Sequence, residues 1–436
     1  MPGLRAALSG LTLRGRCLLA AGLALGLCAA SLGQRDLLRV AVFLTALPLA
    51  AVTLVARTRY RLSCTRRVEP SRVQAGEPAT ARLRLDNVSR LPSGLLLVED
   101  ALPYTLGTRP RFVLERVEAG ARRDVTYTVR SDLRGRYRIG PLSVRLTDPF
   151  GLCELSRAFT TTDTLVITPV VTALPTVRLG GEWSGGGDSA GRSIAASGSD
   201  DAATREYRHG DDLRKVHWRS TARVGELMVR REEQPFQSRA TLLLDSRADA
   251  HRGEGPASSF EWAVSALASI AVSLARSGFT LALVRDTGDD LTPHGVPVTE
   301  GVVLDALATV APSRGQSLEG AGIRIRHGRS GGSGGGLASG AGGILVAVLG
   351  TMDLADAARV ARYRQGAATC VAVLLDTDSW APLPGRPRQQ AVRNHEAVNA
   401  VLAGAGWRVL PVSHGTTLAS VWPGAGSRPL AERVSR

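Results

Sequence analysis

Two uncharged, apolar stretches near the start of the chain limit its architecture most. The first covers residues 17–33 and the second residues 40–56. Each is close to the lower limit of about 17 residues for a membrane-spanning helix, and each can extend by a few residues. Pro48 is tolerable within such a helix. The polar residues 34–36 between them allow only a tight turn, so the pattern predicts a two-helix membrane hairpin spanning residues 1–59.

Arginines flank the predicted hairpin on both sides. Three precede the first stretch, at positions 5, 14 and 16, and five follow the second, at positions 57, 59, 61, 66 and 67. Basic residues favour the cytoplasmic side of a membrane. We therefore expect a two-pass protein of the cell membrane with most of the chain in the cytoplasm. A cleaved signal peptide ending near residues 29–31 is an open alternative for the first stretch, and the later arginines would still keep the main body in the cytoplasm.

The charge of the chain does not by itself indicate nucleic-acid binding. The net charge is +15 from 54 basic residues, of which only Lys215 is a lysine. The arginines are scattered, which is typical of a chain-wide bias rather than a binding patch. Lys215 is not in a G-x-x-x-x-G-K-[ST] motif, so a P-loop nucleotide site is excluded. The five cysteines form no C-x-x-C pair, which suits a reducing compartment rather than a disulfide framework.

Residues 60–179 have the pattern of a β-rich domain. Short runs alternate apolar and polar residues and are separated by Gly and Pro, at residues 79–89, 94–103, 122–131, 137–151 and 164–169. Strands at this spacing without helices predict a β-sandwich-like domain. In the first run, Leu83 and Leu85 are expected to be buried, and Arg82 and Arg84 to be solvated. Residues 180–239 then combine a glycine-rich loop with a dense polar segment.

Residues 240–436 alternate between strand and helix patterns. The strands are predicted at residues 240–245, 279–286, 344–350, 369–376 and 407–412, and the helices at residues 258–277, 300–310, 353–365 and 389–403. Apolar strands separated by amphipathic helices predict an α/β doubly wound domain, with a parallel sheet covered on both faces.

Acidic residues follow several of these strands. They are Asp245, Asp286, Asp353, Asp376 and Asp378. Ligands of doubly wound sheets bind beyond the carboxyl ends of the strands, so these carboxylates could hold a hard cation. Aspartates at strand ends also cap helices and turns, and the sequence leaves both interpretations open.

The segment from Arg205 to Arg223 is unusually dense in charged and aromatic residues. One interpretation is an acid–base site of Glu206, Asp211 and His217, as in a hydrolase or nuclease. A second is an anion site made by the arginines. A third is a structural or docking element, with a helix over residues 212–222 that Trp218 anchors on a core and a strand within residues 226–233. We favour the third.

The same segment resembles a known bacterial family. Its signature residues are Tyr207, Gly210, Asp211, Arg214, Trp218 and Arg223, followed by residues 225–233. Together with residues 134–152, this pattern is similar to the family called domain of unknown function 58 (DUF58). The resemblance implies two N-terminal membrane spans, a β-rich region and a von Willebrand A-like domain. In our interpretation the six signature residues form a docking element rather than a catalytic site.

The resemblance also implies partners. Members of this family are often encoded beside MoxR-type AAA+ ATPases and transglutaminase-like membrane proteins, which implies a shared assembly. We therefore expect a membrane-anchored cytoplasmic scaffold or adaptor that docks a MoxR-type ATPase for assembly or stress-related work at the cell envelope. The alternatives are the hydrolase or nuclease described above and an anion- or lipid-binding module.

A von Willebrand A-like domain implies a test for metal binding. Its adhesion site needs Asp-x-Ser-x-Ser after the first strand. The present chain has Asp245-Ser246-Arg247-Ala248-Asp249, so Arg247 and Asp249 replace the two serines. A guanidinium at a ligand position repels a divalent cation and can pair with Asp245 instead. We therefore expect a degenerate site at Asp245 and Asp249, with no cofactor, and Mg²⁺ as the ion such a site would take if it bound one.

Overall fold

A computed structural model describes most of the chain, and its contacts divide the chain into two compact units. The first unit comprises residues 1–171 and 304–310, and the second comprises residues 172–303 and 311–436. The described residues are 10–57, 62–90, 92–93, 95–115, 117–148, 150–177, 179, 204–207, 216, 218–230, 239–291, 298–327, 343–364, 369–383, 385 and 387–426.

The first unit begins with two apolar helices, α1 (Leu13–Leu32) and α2 (Arg35–Arg57). Both are long and apolar enough to cross a membrane, and they extend beyond the uncharged stretches because charged residues join their ends. The connection is shorter than predicted: α1 ends at Gly33, whose φ of 64° suits glycine, and α2 begins two residues later. Thr12 caps the start of α1 by accepting a hydrogen bond from the Gly15 amide at 3.3 Å.

Among the described residues of the first unit, ten strands follow. They are β1 (Leu62–Glu69), β2 (Arg72–Gln74), β3 (Ala79–Asn87), β4 (Leu95–Asp100), β5 (Arg111–Leu114), β6 (Arg122–Val129), β7 (Gly135–Ile139), β8 (Leu142–Thr147), β9 (Glu154–Phe159) and β10 (Asp163–Thr168). They form three sheets, ordered β1-β3-β6, β2-β10-β7 and β5-β4-β8-β9. The predicted run at residues 137–151 is two strands, because Gly140 and Pro141 interrupt it with a positive φ at Gly140.

The sheets pack through the alternating apolar faces of their strands. Leu83 and Leu85 of β3 are buried while Arg82 and Arg84 are exposed, which confirms the predicted alternation. One cluster joins β1 and β3 to β4 and β8, and includes Leu83, Leu85, Leu96 and Leu146. A second cluster joins the other end of β1 and β3 to β7 and β10. The sheet β1-β3-β6 therefore packs against both of the other sheets.

The second unit contains a five-stranded parallel sheet. Its strands are β13 (Arg239–Leu244), β14 (Thr280–Arg285), β15 (Ile344–Leu349), β16 (Thr369–Leu375) and β17 (Arg408–Val412), and its helices are α4 (Ser259–Arg276), α5 (Glu300–Thr309), α6 (Glu319–His327), α7 (Leu354–Ala361), α8 (Arg388–Gly404) and α9 (Leu418–Val421). Residues 304–310, at the end of α5, belong to the first unit. The sheet order is β14-β13-β15-β16-β17, which is a doubly wound order.

Both faces of this sheet are buried, as the apolar strands predicted. Leu243 of β13 lies in a cluster with side chains of α6, α7 and α8. The alternate residues Leu242 and Leu244 are also fully buried, and α4 contacts β13, β14 and β15. The helix α4 begins with a side-chain cap, since Ser258 accepts a hydrogen bond from the Glu261 amide at 3.3 Å.

A small antiparallel ribbon precedes the parallel sheet. It consists of β11 (Thr204–Glu206) and β12 (Met228–Arg230), with α3 (Trp218–Val224) between them. The strand predicted within residues 226–233 therefore forms, but it pairs with β11 and not with the five-stranded sheet. The helix begins at Trp218 in the described part of the chain, while residues 208–215 lie outside the described residues.

Candidate functional site

The parallel sheet has one position where a ligand site is expected from topology. The chain runs from β13 to β14 on one side and later returns to β15 on the other side of β13. Ligands of doubly wound sheets bind beside such a reversal, at the carboxyl ends of the strands. Asp245 directly follows β13 there, and it is fully buried.

The buried carboxylate of Asp245 is paired with Arg247. The Arg247 Nε lies 2.9 Å from one carboxylate oxygen and Nη2 lies 3.0 Å from the other. The third nitrogen, Nη1, donates to Asp356 at 2.6 Å. The Gly350 amide, after β15, also donates to Asp245 at 3.2 Å. The guanidinium therefore links the end of β13 to the first turn of α7.

Arg247 shares one positive charge between these two carboxylates. Burial alone would lower the pKa of Arg247, but its hydrogen bonds with Asp245 and Asp356 outweigh burial and raise that pKa. The guanidinium therefore stays charged and pairs with both carboxylates, and Arg359 brings a second positive charge to Asp356 at 3.1 Å. A divalent cation between them would face this positive charge, so the residues do not fit such an ion while Arg247 keeps its position.

A second carboxylate at the same edge is satisfied by hydroxyl groups. Asp286, directly after β14, is fully buried. It accepts hydrogen bonds from the Ser246 hydroxyl and, at 2.6 Å, from the Ser313 hydroxyl. Arg285 donates to the Ser246 hydroxyl at 3.1 Å. The Ser246 side chain thus points to Asp286, after β14, whereas the Arg247 side chain points to Asp245, after β13, and to Asp356 of α7.

A buried histidine supports the loop after β13. The His251 Nε2 lies 2.7 Å from the Asp245 carbonyl oxygen, and Nδ1 lies 3.2 Å from the Ser259 hydroxyl. Burial lowers the pKa of His251, although the nearby Asp245 acts in the opposite direction. A neutral ring can donate from Nε2 to the carbonyl and accept at Nδ1, so the native loop favours the neutral form.

The other predicted strand-end carboxylates have separate partners. Asp353 caps α7 by accepting from the Asp356 amide at 2.7 Å, and Asp376 forms a two-pronged ion pair with Arg388. Asp378 is buried in a one-turn helix after β16. Asp249 is exposed, and the carboxylate that shares Arg247 with Asp245 is that of Asp356. Among the described residues, no cluster of three His, Cys, Asp or Glu side chains could hold a metal ion.

Asp356 was the residue that sequence reasoning missed. It occupies the third position of α7, three residues after the capping Asp353. The spacing Asp-x-x-Asp at a helix start was visible, but an acidic residue there usually stabilises the helix dipole from the surface. Its burial against Arg247 depends on how α7 packs on the sheet, which the local sequence does not encode.

The described part of the signature segment shows a solvent-exposed tryptophan. Trp218 is 69% exposed, so the prediction that it anchors the helix on a core is wrong. Val216 is instead the buried residue, and it bridges to Val229 of β12. Tyr207 is partly buried and its amide donates to the Leu227 carbonyl at 2.8 Å, while Arg223 is exposed.

Three further signature residues, Gly210, Asp211 and Arg214, lie outside the described residues, as does His217. Glu206 lies on β11. The proposed acid–base group of Glu206, Asp211 and His217 therefore stays a prediction.

The comparisons with known proteins agree with the sequence resemblance over part of the chain. A family model described as "Protein of unknown function DUF58" matches residues 203–324. This range includes the ribbon, β13, β14 and the loop that contains Arg247. An uncharacterised protein called YeaD from Bacillus subtilis (strain 168) is 26% identical over 224 residues, covering 49% of this chain. The chain spans about half of that relative, 53% of its length.

Solved structures give only weak likenesses. The CARDB domain of the PF1109 protein from Pyrococcus furiosus has a TM-score of 0.19 and 13% identity, and covers 25% of this chain and 93% of its own. A chain of the complex of zinc α2-glycoprotein with prolactin-inducible protein from human seminal plasma has a TM-score of 0.20 and 11% identity. It covers 26% of this chain and 98% of its own length. Both TM-scores are too low to define a shared fold.

Proposed function

We propose that this protein is a membrane-anchored docking protein whose second unit binds a MoxR-type AAA+ ATPase through its signature segment. In this proposal the hairpin of α1 and α2 holds the chain in the cell membrane. The β-rich unit and a von Willebrand A-like α/β unit lie on the cytoplasmic side. The role is that of a scaffold or adaptor at the cell envelope, and a transglutaminase-like membrane protein is a further expected member of the assembly.

The observation that carries this proposal is the exposure of Trp218. A tryptophan side chain is costly to leave in water, and exposed aromatic residues are enriched in protein interfaces. Val224 and Leu227, close to it in the chain, are also exposed. These three side chains, with the exposed Arg223, are called the signature surface here. Its arginine favours an acidic partner surface around an apolar pocket.

The interior of the same unit supports a binding role over a catalytic one. The edge of the sheet where doubly wound enzymes bind their ligands contains the chain's own Arg247, paired with two carboxylates. The position of Asp245 after the first strand, with Arg247 where the adhesion pattern has serine, supports a von Willebrand A-like unit with a degenerate metal site. In this interpretation binding occurs on the surface of the unit and needs no ion.

The distribution of arginines supports the proposed orientation. Arg14 and Arg16 lie in the first turn of α1, and Arg57 ends α2. Both ends of the hairpin are therefore basic, which favours the cytoplasm for each. An ATPase that consumes cytoplasmic ATP would meet the second unit in that compartment.

The test is co-purification of the full-length protein from membranes with the MoxR-type ATPase encoded in the same genome. Trp218→Ala removes the aromatic anchor, and we expect the amount of bound ATPase to fall on the order of 10- to 30-fold, as for a hot-spot residue of about 2 kcal/mol. Binding should be measured with purified components in detergent.

Tyr104→Ala is the matched control, because Tyr104 is 91% exposed in the first unit and lies outside the signature surface. This variant should bind like the unsubstituted protein. Failure of the unsubstituted protein to bind the ATPase, or equal binding by Trp218→Ala, would contradict the proposal. Thermal melting of each variant verifies that it is folded.

A further inference from the structure

The loop between β8 and β9 is attached to the hairpin in the first unit. The Thr12 amide donates to the Leu152 carbonyl at 3.0 Å, and its hydroxyl donates to the Gly151 carbonyl at 2.8 Å. The Glu154 amide donates to the Gly10 carbonyl at 2.8 Å. A methyl group on Gly15 would lie 2.3 Å from the Leu152 carbonyl oxygen, so the first turn of α1 is in backbone contact with this loop.

The other end of the hairpin contacts the same loop. Leu152 and Cys153 are buried in one apolar cluster with Ala51 and Val52 of α2, and Leu47 packs against it. The loop thus lies where α1 begins and α2 approaches its end. If the two helices span a bilayer, this is the level at which they leave it.

Phe150 is held in an exposed position on this loop. The Asp148 carboxylate accepts hydrogen bonds from the Phe150 amide at 3.0 Å and from the Cys153 amide at 2.5 Å. These two bonds fix the turn, and the Phe150 side chain is 63% exposed. A large apolar side chain exposed beside the hairpin suits the membrane–water interface, where interfacial protein segments bury Trp, Phe and Leu side chains at the boundary of headgroups and acyl chains.

Two other exposed apolar side chains lie at the same end of the β-rich unit. Leu95, at the start of β4, pairs with Thr147, at the end of β8. Val88 follows directly after Asn87, the last residue of β3, and the neighbouring Leu85 packs in one cluster with Leu96 and Leu146. Val88 and Leu95 are both exposed. The exposed Arg90, together with Arg14 and Arg16 of α1, adds positive charge at this end.

We infer that this end of the first unit rests in the interfacial layer of the bilayer, with Phe150, Val88 and Leu95 inserted among the lipid headgroups. These three side chains are called the interfacial surface here. The arginines beside it complement anionic headgroups. The inference rests on the proposed membrane anchoring, and it adds a lipid contact that orients the cytoplasmic body close to the membrane.

The tryptophan content of the chain makes this contact measurable. All six tryptophans lie at position 183 or later, so the first unit has none. We would reconstitute full-length Phe150→Trp in vesicles of phosphatidylcholine and phosphatidylglycerol that carry bromine either near the headgroup or near the chain ends. Fluorescence of the unsubstituted protein gives the background to subtract. Val88→Trp is an independent second probe of the same surface.

Two variants calibrate the measurement. Phe43→Trp places the probe on an exposed position of α2, away from its ends, and reports on spanning itself. Tyr104→Trp places the probe away from the interfacial surface. Tyr104 follows Asp100 by four residues, and Asp100 pairs with Leu142, which lies at the end of β8 opposite to the loop of Phe150. We expect strong quenching of Phe43→Trp by deep bromine, strong quenching of Phe150→Trp and Val88→Trp by shallow bromine, and only background for Tyr104→Trp.

The outcomes separate this inference from the proposed function. Loss of quenching at Phe43→Trp would show that the hairpin is not in the bilayer, and would overturn the anchoring on which both depend. Quenching at Phe43→Trp with only background at Phe150→Trp and Val88→Trp would overturn the interfacial contact alone. If, in that second case, aqueous acrylamide also failed to quench Phe150→Trp, the side chain would be protected from both lipid and water. This surface would then be assigned to a protein contact instead of lipid.

Discussion

In the described part of each unit, one buried arginine pairs with an aspartate, and the two pairs differ in their surroundings. In the first unit Arg66 of β1 binds Asp100 at the end of β4, with Nε–O and Nη2–O distances of 3.0 and 2.6 Å. In the second unit Arg247 binds Asp245 with similar geometry. The first pair joins two sheets, whereas the second lies at the ligand-binding edge of one sheet.

The remaining donors of each guanidinium show the difference. Arg66 Nη1 donates to the backbone carbonyls of Ile139 and Thr161, at 3.1 and 3.2 Å, and lies 3.7 Å from the partly exposed Asp163 carboxylate, so it mainly fixes backbone segments. Arg247 donates from Nη1 to a second carboxylate, Asp356, at 2.6 Å. Similar chemistry therefore holds sheets together in one unit and joins a strand end to a helix in the other.

The largest effect is expected from Asp100→Ala. This variant leaves the Arg66 guanidinium buried without its carboxylate, and removing one partner of a buried ion pair costs about 3–5 kcal/mol. Calorimetry of the full-length protein in detergent should show a large loss of stability in the transition of the first unit. The exposed pair of Arg84 and Asp124 provides the control, since solvent screens it.

In that control, Asp124→Ala should leave the same transition nearly unchanged. If Asp100→Ala were equally mild, Arg66 would be hydrated and would not hold the sheets together. Arg66→Met with Asp100→Leu, which removes both charges, should regain part of the lost stability.

A loss near the lower end of about 3–5 kcal/mol is expected for Arg247→Ser, because Arg359 still pairs with Asp356 and the Gly350 amide still donates to Asp245. This variant should also gain what the native chain lacks, a response to divalent cations. Asp245, Asp356 and the new hydroxyl are oxygen ligands suited to Mg²⁺ or Mn²⁺. Millimolar metal should raise its melting temperature by mass action, and the native protein should not respond.

Asp245→Asn combined with Arg247→Ser is the matched control for metal binding. It keeps a similar shape but loses a carboxylate, so its stability should not depend on the cation. A metal response in the native protein would contradict the interpretation that Arg247 takes the cation position. All six tryptophans lie in the second unit, so their fluorescence follows this transition separately.

A smaller loss is expected for Tyr127→Phe in the first unit. The Tyr127 hydroxyl donates to Asp100 at 2.5 Å, and burial together with this bond raises the pKa of Tyr127. A hydrogen bond to a charged group contributes about 1.5–3 kcal/mol, and Arg66 still satisfies the carboxylate afterwards. Calorimetry should therefore show a smaller shift than for Asp100→Ala. An equal shift would indicate that Tyr127, rather than Arg66, keeps Asp100 in place.

These two centres also differ in how far the sequence predicted them. The pairing of Arg247 with Asp245 was predicted because a local pattern, Asp-x-Arg after a strand, placed both residues in one loop. The pairing of Arg66 with Asp100 had no such signal, since the residues are on different strands of different sheets. Arg66 was assigned only to the charges that follow the hairpin.

The same distinction holds across the fold. Apolar runs predicted the two N-terminal helices and the five parallel strands, because such elements leave a pattern in the local sequence. The strands β1, β2, β5 and β9 were missed. For β2 and β5, of three and four residues, the length carries almost no periodicity, whereas β1, of eight residues, contains arginines that were assigned to the flank of the hairpin. Trp218 was wrongly predicted to be buried because large aromatic side chains are usually buried. In the structure Val216 is buried instead, where it pairs with Val229, and the local sequence contains no signal for this packing.

The last prediction concerns pH, and it separates the two units. His251 beside Asp245 has a pKa lowered by burial, so below its unfolded pKa of about 6.5 the unfolded chain binds a proton that the native chain does not. The stability of the second unit should therefore fall as pH drops from about 6.5 towards the native pKa of His251, by at most about 1.4 kcal/mol per pH unit.

His251→Gln, which can keep a donor near the Asp245 carbonyl, should flatten this slope in tryptophan-monitored melting. Burial also lowers the pKa of His395, so a smaller slope should remain. All seven histidines lie at position 209 or later, outside the first unit, so a comparable slope in the calorimetric transition of the first unit would show that the buried histidine is not the source.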